Sequence, residues 1–144
     1  IRGVDSTVRK TKVTMKENSR LYVPERLMTH DAQTAVSDID VEMNGAGTNA
    51  QIISRSVAKG TSKQNFHPRA IGNAACHAHI QCDSIIMEHA QVASIPEIDA
   101  RHVDAAIIHE AAIGRINDEQ IMKLRTLGLT EEEAENVIIE NFLQ

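Results

Sequence analysis

The sequence predicts a mainly β chain that ends in a short α-helical hairpin, and three observations predict it. From Val4 to about Ile116 apolar and polar residues alternate in short runs, the period of strands with one buried face. Breakers recur between those runs, as "NGAGTN" (44–49), "KGTSKQN" (59–65), Gly72-Asn73 and Pro96. After Ile116 the period changes to that of a helix. With no convincing helix before that point to carry a βαβ crossover, the β region is an antiparallel sandwich or a solenoid of strands. Composition bears on the choice: Tyr22, Phe66 and Phe142 are the only aromatic residues among 144. A narrow interior of stacked Ile, Val, Leu, Ala and Met suits such a chain better than a thick sandwich built around aromatic rings.

Element by element, "VRKTKVTM" sets Val8, Lys10, Lys12 and Thr14 opposite Arg9, Thr11, Val13 and Met15. "DIDVEM" places Ile39, Val41 and Met43 on one face and Asp38, Asp40 and Glu42 on the other. "AQIISRSVA" and "SIIMEHAQVASIPEIDA" continue the style. Beyond Ile116, Asn117 and Gln120 are spaced as a capping box, Ile121 and Leu124 share a helical face, and Gly128 stands where that helix stops. Thr130 and Glu133 form a second box, with Ala134, Val137, Ile138 and Phe142 as the apolar stripe. Glu131, Glu132 and Glu133 fall in the first turn, where the helix dipole favours them. The division is therefore 1–116 for the β region and 117–144 for the helical unit. That unit is either a cap on the open end of the β region or an exposed acidic docking site.

Charge separates the same two parts. Residues 117–144 carry seven acids against Lys123 and Arg125, while the other 116 residues balance at 13 acids and 13 bases, giving −5 overall. An acidic tail argues against nucleic acid as its partner. The basic start (Arg2, Arg9, Lys10, Lys12, Lys16, Arg20, Arg26) has no interleaved aromatic residues and reads as a solvated strand face. No run approaches the roughly 20 apolar residues of a membrane span, and nothing at the start resembles a signal peptide. Ile1 in place of methionine predicts a fragment or a processed chain. Two cysteines without a disulfide framework fit a reducing, cytoplasmic setting.

Both cysteines lie in "CHAHIQCDS" (76–84). As a strand, this segment turns Cys76, Ala78, Ile80 and Cys82 inward and His77, His79, Gln81 and Asp83 outward. The two sulfurs then sit roughly 20 Å apart, too far to share one metal. Any metal site must recruit ligands from another strand. "HEAA" (109–112) is not a zincin motif, because Ile113 stands where a second histidine is required. Cys82 and His109-Glu110 are 27 residues apart. Coils of a β-solenoid take on the order of 20-odd residues, so this spacing can bring a thiol and an imidazole onto adjacent coils. Thiolate, imidazole and carboxylate suit a soft metal or an iron–sulfur cluster. A protonated His109 would also lower the pKa of the thiol. Two other readings remain open: a zinc enzyme using His77, His79 or His109 with Glu110, and an interaction module without metal.

"IQCDSIIM", "IPEIDA" and "VDAAIIHEAAIGRINDEQIMKLRTLGLTEEEAENVIIENFL" resemble the carboxy-terminal part of the SufB/SufD family, scaffold proteins of the SUF iron–sulfur cluster assembly system. The resemblance runs from about Ser37 to the end and more weakly back to Val4. Gln81-Cys82-Asp83-Ser84, His109-Glu110-Ala111, Gly114-Arg115-Ile116 and the final "NFL" carry it most strongly. It implies a right-handed parallel β-helix followed by a small helical domain. It implies a scaffold rather than an enzyme, holding a transient iron–sulfur cluster. It also implies docking of a SufC-type ABC ATPase by the tail, and pairing of β-helices as a homodimer or a SufB/SufD-type heterodimer. Cys82, His109 and Glu110 fall on the residues tied to the nascent cluster. His-Glu, where SufD-type members tend to have His-Gly, is similar to SufB. Ile108 departs from the acid that SufB carries there, the family's amino-terminal helical part has no counterpart, and Cys76 matches no family element and reads as structural.

Overall fold

The structure is a computed structural model and describes residues 3–144, so Arg2 of the basic run lies outside the described residues. Nine strands precede two helices: β1 (Ser6–Met15), β2 (Arg20–Thr29), β3 (Thr34–Met43), β4 (Thr48–Ala58), β5 (Lys63–Gly72), β6 (Cys76–Ile86), β7 (Gln91–Ser94), β8 (Glu97–Ala100), β9 (Ala105–Gly114), α1 (Asp118–Thr126) and α2 (Glu131–Leu143). Strands β1–β7 divide by parity into an odd-numbered and an even-numbered sheet, joined by β8 and β9 respectively. One runs β1-β3-β5-β7, with β8 also on β5; the other runs β2-β4-β6-β9. Every pairing is parallel. The chain is thus a β-solenoid of about four turns, and the antiparallel sandwich is excluded.

Register sets what stacks on what. Ser6 pairs with Thr34 and Thr34 with Lys63; Arg20 pairs with Asn49, Thr48 with Cys76 and Cys76 with Ala105. One coil therefore takes 28 or 29 residues. The turns repeat with it, since Asp31, Gly60 and Glu88 hold left-handed φ of 51°, 67° and 56° at the same place in successive coils. The alternation read from sequence holds in β3 and β6, where Ile39, Val41, Met43, Cys76, Ala78, Ile80 and Cys82 are all buried. These residues, with Ala50, Ile52, Phe66 and Ala70, make one narrow core between the sheets.

Pro68 explains why the last coil is split into β7 and β8. The Ile95 amide donates to the Phe66 carbonyl at 2.9 Å. The next rung of a parallel ladder would run from the nitrogen of residue 68 back to Ile95, and proline has no hydrogen to give. Pro96 follows on this edge strand, where a missing donor is tolerated.

The helical hairpin packs on the solenoid through a second cluster, in which Val57, Met87 and Ile139 meet Ile85, Ile116, Phe142 and Leu143. Arg26 donates to the carbonyls of Leu143 (2.7 Å) and Gln144 (3.3 Å), and Arg55 to that of Phe142 (3.4 Å). These cations satisfy carbonyls at a helix end that has no intrahelical donors left. The anchoring chooses the buried face of α2. Ala134 and Ile139 are sealed, whereas Val137 of the expected stripe is half exposed. A stripe read from one helix alone does not include the arginines that orient it.

Asn117 caps α1 by accepting from the Glu119 amide (2.8 Å), one residue earlier than the expected box with Gln120. Gly128 takes φ 95° just past the end of α1, as a helix stop requires. Thr130 and Glu133 do form the reciprocal box, at 3.2 and 2.7 Å. Thr130→Ala is expected to lower stability by about 1 kcal/mol, the usual cost of losing such a cap, read as a lower thermal midpoint in far-ultraviolet circular dichroism.

Candidate functional site

Inward-facing residues form columns running along the solenoid. In the even-numbered sheet, Val23, Ile52, Ile80 and His109 share one column, and Glu25, Ser54, Cys82 and Ala111 share the next. His109 therefore stands above Ile80, not above Cys82, because its 27-residue separation is two short of the 29-residue repeat between β6 and β9. It reaches the cysteine diagonally. Cys82 Sγ lies 3.5 Å from His109 Nε2. The thiol is 4% exposed; the imidazole, on the final coil, is half-buried because no further coil covers it.

Glu110 is one residue on, so the pleat turns it to the outer face, away from the thiol. There it meets Nε2 of His79 at 3.1 Å, a side chain that the sequence also set on the outer face. Asp83, likewise outward, accepts from Gln81 Nε2 at 2.6 Å. Of the three expected ligands, the fold joins Cys82 to His109 and sends Glu110 to the other side of β9. Among the described residues, no group of three or more His, Cys, Asp or Glu side chains is arranged to hold a metal ion.

Burial also sets the protonation states. It pushes the Cys82 thiol above its ordinary value, with the Ser94 hydroxyl acting in the opposite direction and the Asp83 charge adding to the rise. Burial holds His109 below its ordinary value. Both directions favour the uncharged forms, so a protonated His109 lowering the thiol pKa is not what this environment favours. Cys76 is buried, and its sulfur lies 2.9 Å from where a Cβ on Gly72 would stand. It packs as a small apolar side chain, the structural role read from sequence.

Sequence reasoning missed the polar lining of the interior. Glu25 is 5% exposed, yet it accepts hydrogen bonds from Ser37 (2.7 Å) and Ser54 (3.1 Å) and pairs with Arg9. Ser56 and Ser84 bond each other at 2.8 Å. These groups line one internal cleft with Cys82 and Ser94. The available signal was parity: Ser37, Ser54 and Ser56 fall on the apolar phase of their strands.

Residues 3–142 match the family described as "SUF system FeS cluster assembly, SufBD core domain". The chain belongs to the SufBD family. An iron–sulfur cluster assembly SufBD family protein of Methanothermobacter thermautotrophicus is 30% identical over 129 residues, covering 88% of this chain and 32% of that protein. A relative of the same description from Pyrococcus horikoshii is 34% identical over 116 residues, covering 76% of this chain and 36% of its own length. One from Methanocaldococcus jannaschii is 36% identical over 104 residues, covering 72% and 33%. The chain spans about a third of the length of these SufBD relatives.

Proposed function

We propose that this SufBD-family chain is a scaffold, not an enzyme, that holds a nascent iron–sulfur cluster or its sulfur at Cys82, with His109 beside it and a second protomer completing the ligand set. The observation that carries this reading is the 3.5 Å approach of a sulfur on β6 to an imidazole nitrogen on β9, in the final coil. Both are donors suited to iron. Two ligands do not complete a cluster's coordination, and the remainder is supplied by a homodimer or a SufB/SufD-type partner. Exposed Ile98, Val103, Ile108 and Ile113 on the same last coil are apolar surface of the kind a partner covers. Glu110, facing outward, contributes across that junction or through His79. A His-Glu pair at 109–110 favours a SufB-type role. A SufC-type ABC ATPase docks on the helical hairpin, where Met122 and Leu127 are exposed. No described helix is long and apolar enough to cross a membrane, and the reading places the chain in the cytoplasm without nucleic acid as a partner.

The test is anaerobic reconstitution with iron and sulfide. The parent chain is expected to develop a sulfur-to-iron charge-transfer band, and Cys82→Ser to lose it. A Cys82→Ser chain that keeps the band refutes the scaffold reading, and one that instead retains zinc supports a zinc enzyme using His77, His79 or His109 with Glu110.

A further inference from the structure

The placing of Ser37 across the interior from Glu25 is repeated two coils later, with Ser94 in place of the first serine and a thiol in place of the carboxylate. Ser37 and Ser94 belong to one column of the odd-numbered sheet, through the pairings of Ser37 with Phe66 and Phe66 with Ser94. Glu25 and Cys82 belong to one column of the even-numbered sheet, through Ser54. Each serine is 12 residues beyond its counterpart, so the two pairs occupy equivalent places in the coil. In the first pair the Ser37 hydroxyl crosses the interior and donates to a buried carboxylate at 2.7 Å. In the second, Ser94 Oγ is sealed from solvent and has no formed hydrogen bond among the described residues. It lines the same cleft as Cys82.

We propose that Ser94 is a positioning residue for the Cys82 sulfur, its hydroxyl donating to that sulfur from the opposite sheet as Ser37 donates to Glu25. A hydroxyl hydrogen rotates freely, so a donor without a partner turns to whatever acceptor is within reach. Sulfur is a weak acceptor as a thiol and a strong one as a thiolate bound to metal or carrying added sulfur. The contact therefore strengthens when the site is loaded. The other groups around the sulfur do not substitute for it. His109 approaches the sulfur from the final coil of the same sheet and not from across the interior. Asp83 carries like charge. Glu25, two coils below in the same column, is occupied by Arg9, Ser37 and Ser54. The proposal rests on the scaffold reading for its purpose, since hydrogen bonds to ligating sulfur tune the potential of an iron–sulfur cluster. The contact itself requires no metal.

The test begins with the metal-free full chain. Infrared spectroscopy of the S–H stretch, with the Cys82 band assigned by its loss in Cys82→Ser, reads hydrogen bonding at that sulfur directly. Ser94→Ala is expected to shift the band toward the free-thiol position, and Ser94→Thr to restore it. Ser94→Val, isosteric with Thr but without the hydroxyl, is expected to behave as Ala, which separates the hydrogen bond from packing. After anaerobic reconstitution, Ala and Val are expected to lower the midpoint potential and shift the sulfur-to-iron band, and Thr to do neither. A Cys82 S–H band unchanged in both Ala and Val overturns the proposal, whatever cluster binding shows. Cluster binding retained by Cys82→Ser, with the infrared shifts as expected, leaves the contact in place and refutes only the scaffold reading.

Discussion

Gly45→Ala is expected to destabilise the solenoid by about 3 kcal/mol, the upper end of what overpacking costs. Gly45 sits in the turn between β3 and β4, directly over the preceding coil. A Cβ there would lie 2.0 Å from the backbone nitrogen of Glu17, 2.4 Å from its Cα and 2.5 Å from the carbonyl carbon of Lys16. All three are main-chain atoms, so no side chain can swing aside, and the two turns must separate. They are linked by bonds that resist this, including Asn18 N to Ala46 O at 2.9 Å and Asn44 N to Met15 O at 3.0 Å. A urea titration measures the loss as a fall in midpoint at constant slope. A midpoint equal to that of the parent would mean that the coils do not stack this closely.

Arg9→Met is expected to cost about 3 kcal/mol, near the lower limit for breaking an ion pair with a buried member. The side chain of Glu25 is 6% exposed and that of Arg9 48%. Removing the arginine leaves the carboxylate inside the solenoid with two serine hydroxyls as its remaining donors. They satisfy its lone pairs but do not neutralise its charge. Adding Glu25→Gln to Arg9→Met is expected to recover most of the loss, because an amide buries no net charge, its oxygen accepting from one of the two serines and its NH2 donating to the hydroxyl oxygen of the other. The same urea titration on the single and double variants checks both expectations. If the double variant is no more stable than the single, the hydrogen bonds rather than the charge hold this part of the interior.

The way in which Cys82 meets His109 shows how far sequence reading reaches. Alternation alone turned Cys82 inward, because every second side chain of a strand points the same way and its neighbours on that phase are apolar. Adjacent coils were inferred from a 27-residue gap, yet the repeat is 28 or 29 residues. The contact exists because the imidazole is long enough to reach across one diagonal. Glu110 follows from the same pleat: adjacent residues on a strand cannot both face one interior. Its partnership with His79 depended on the register between β6 and β9, which no local pattern encodes.

By itself the sequence determined the strand periodicity, the place where it yields to helix, the Thr130 cap and the inward phase of Cys82. Each of these is a property of residues a few positions apart, governed by backbone geometry and local hydrogen bonding. Tertiary structure alone decided the parallel stacking into two sheets, the burial of Glu25 against Arg9, the face that α2 presents to the solenoid, and the alignment of Ser94 with Cys82. Those depend on the coil length summed over every turn, and a shift of one residue anywhere in the sum reverses which side chains meet inside.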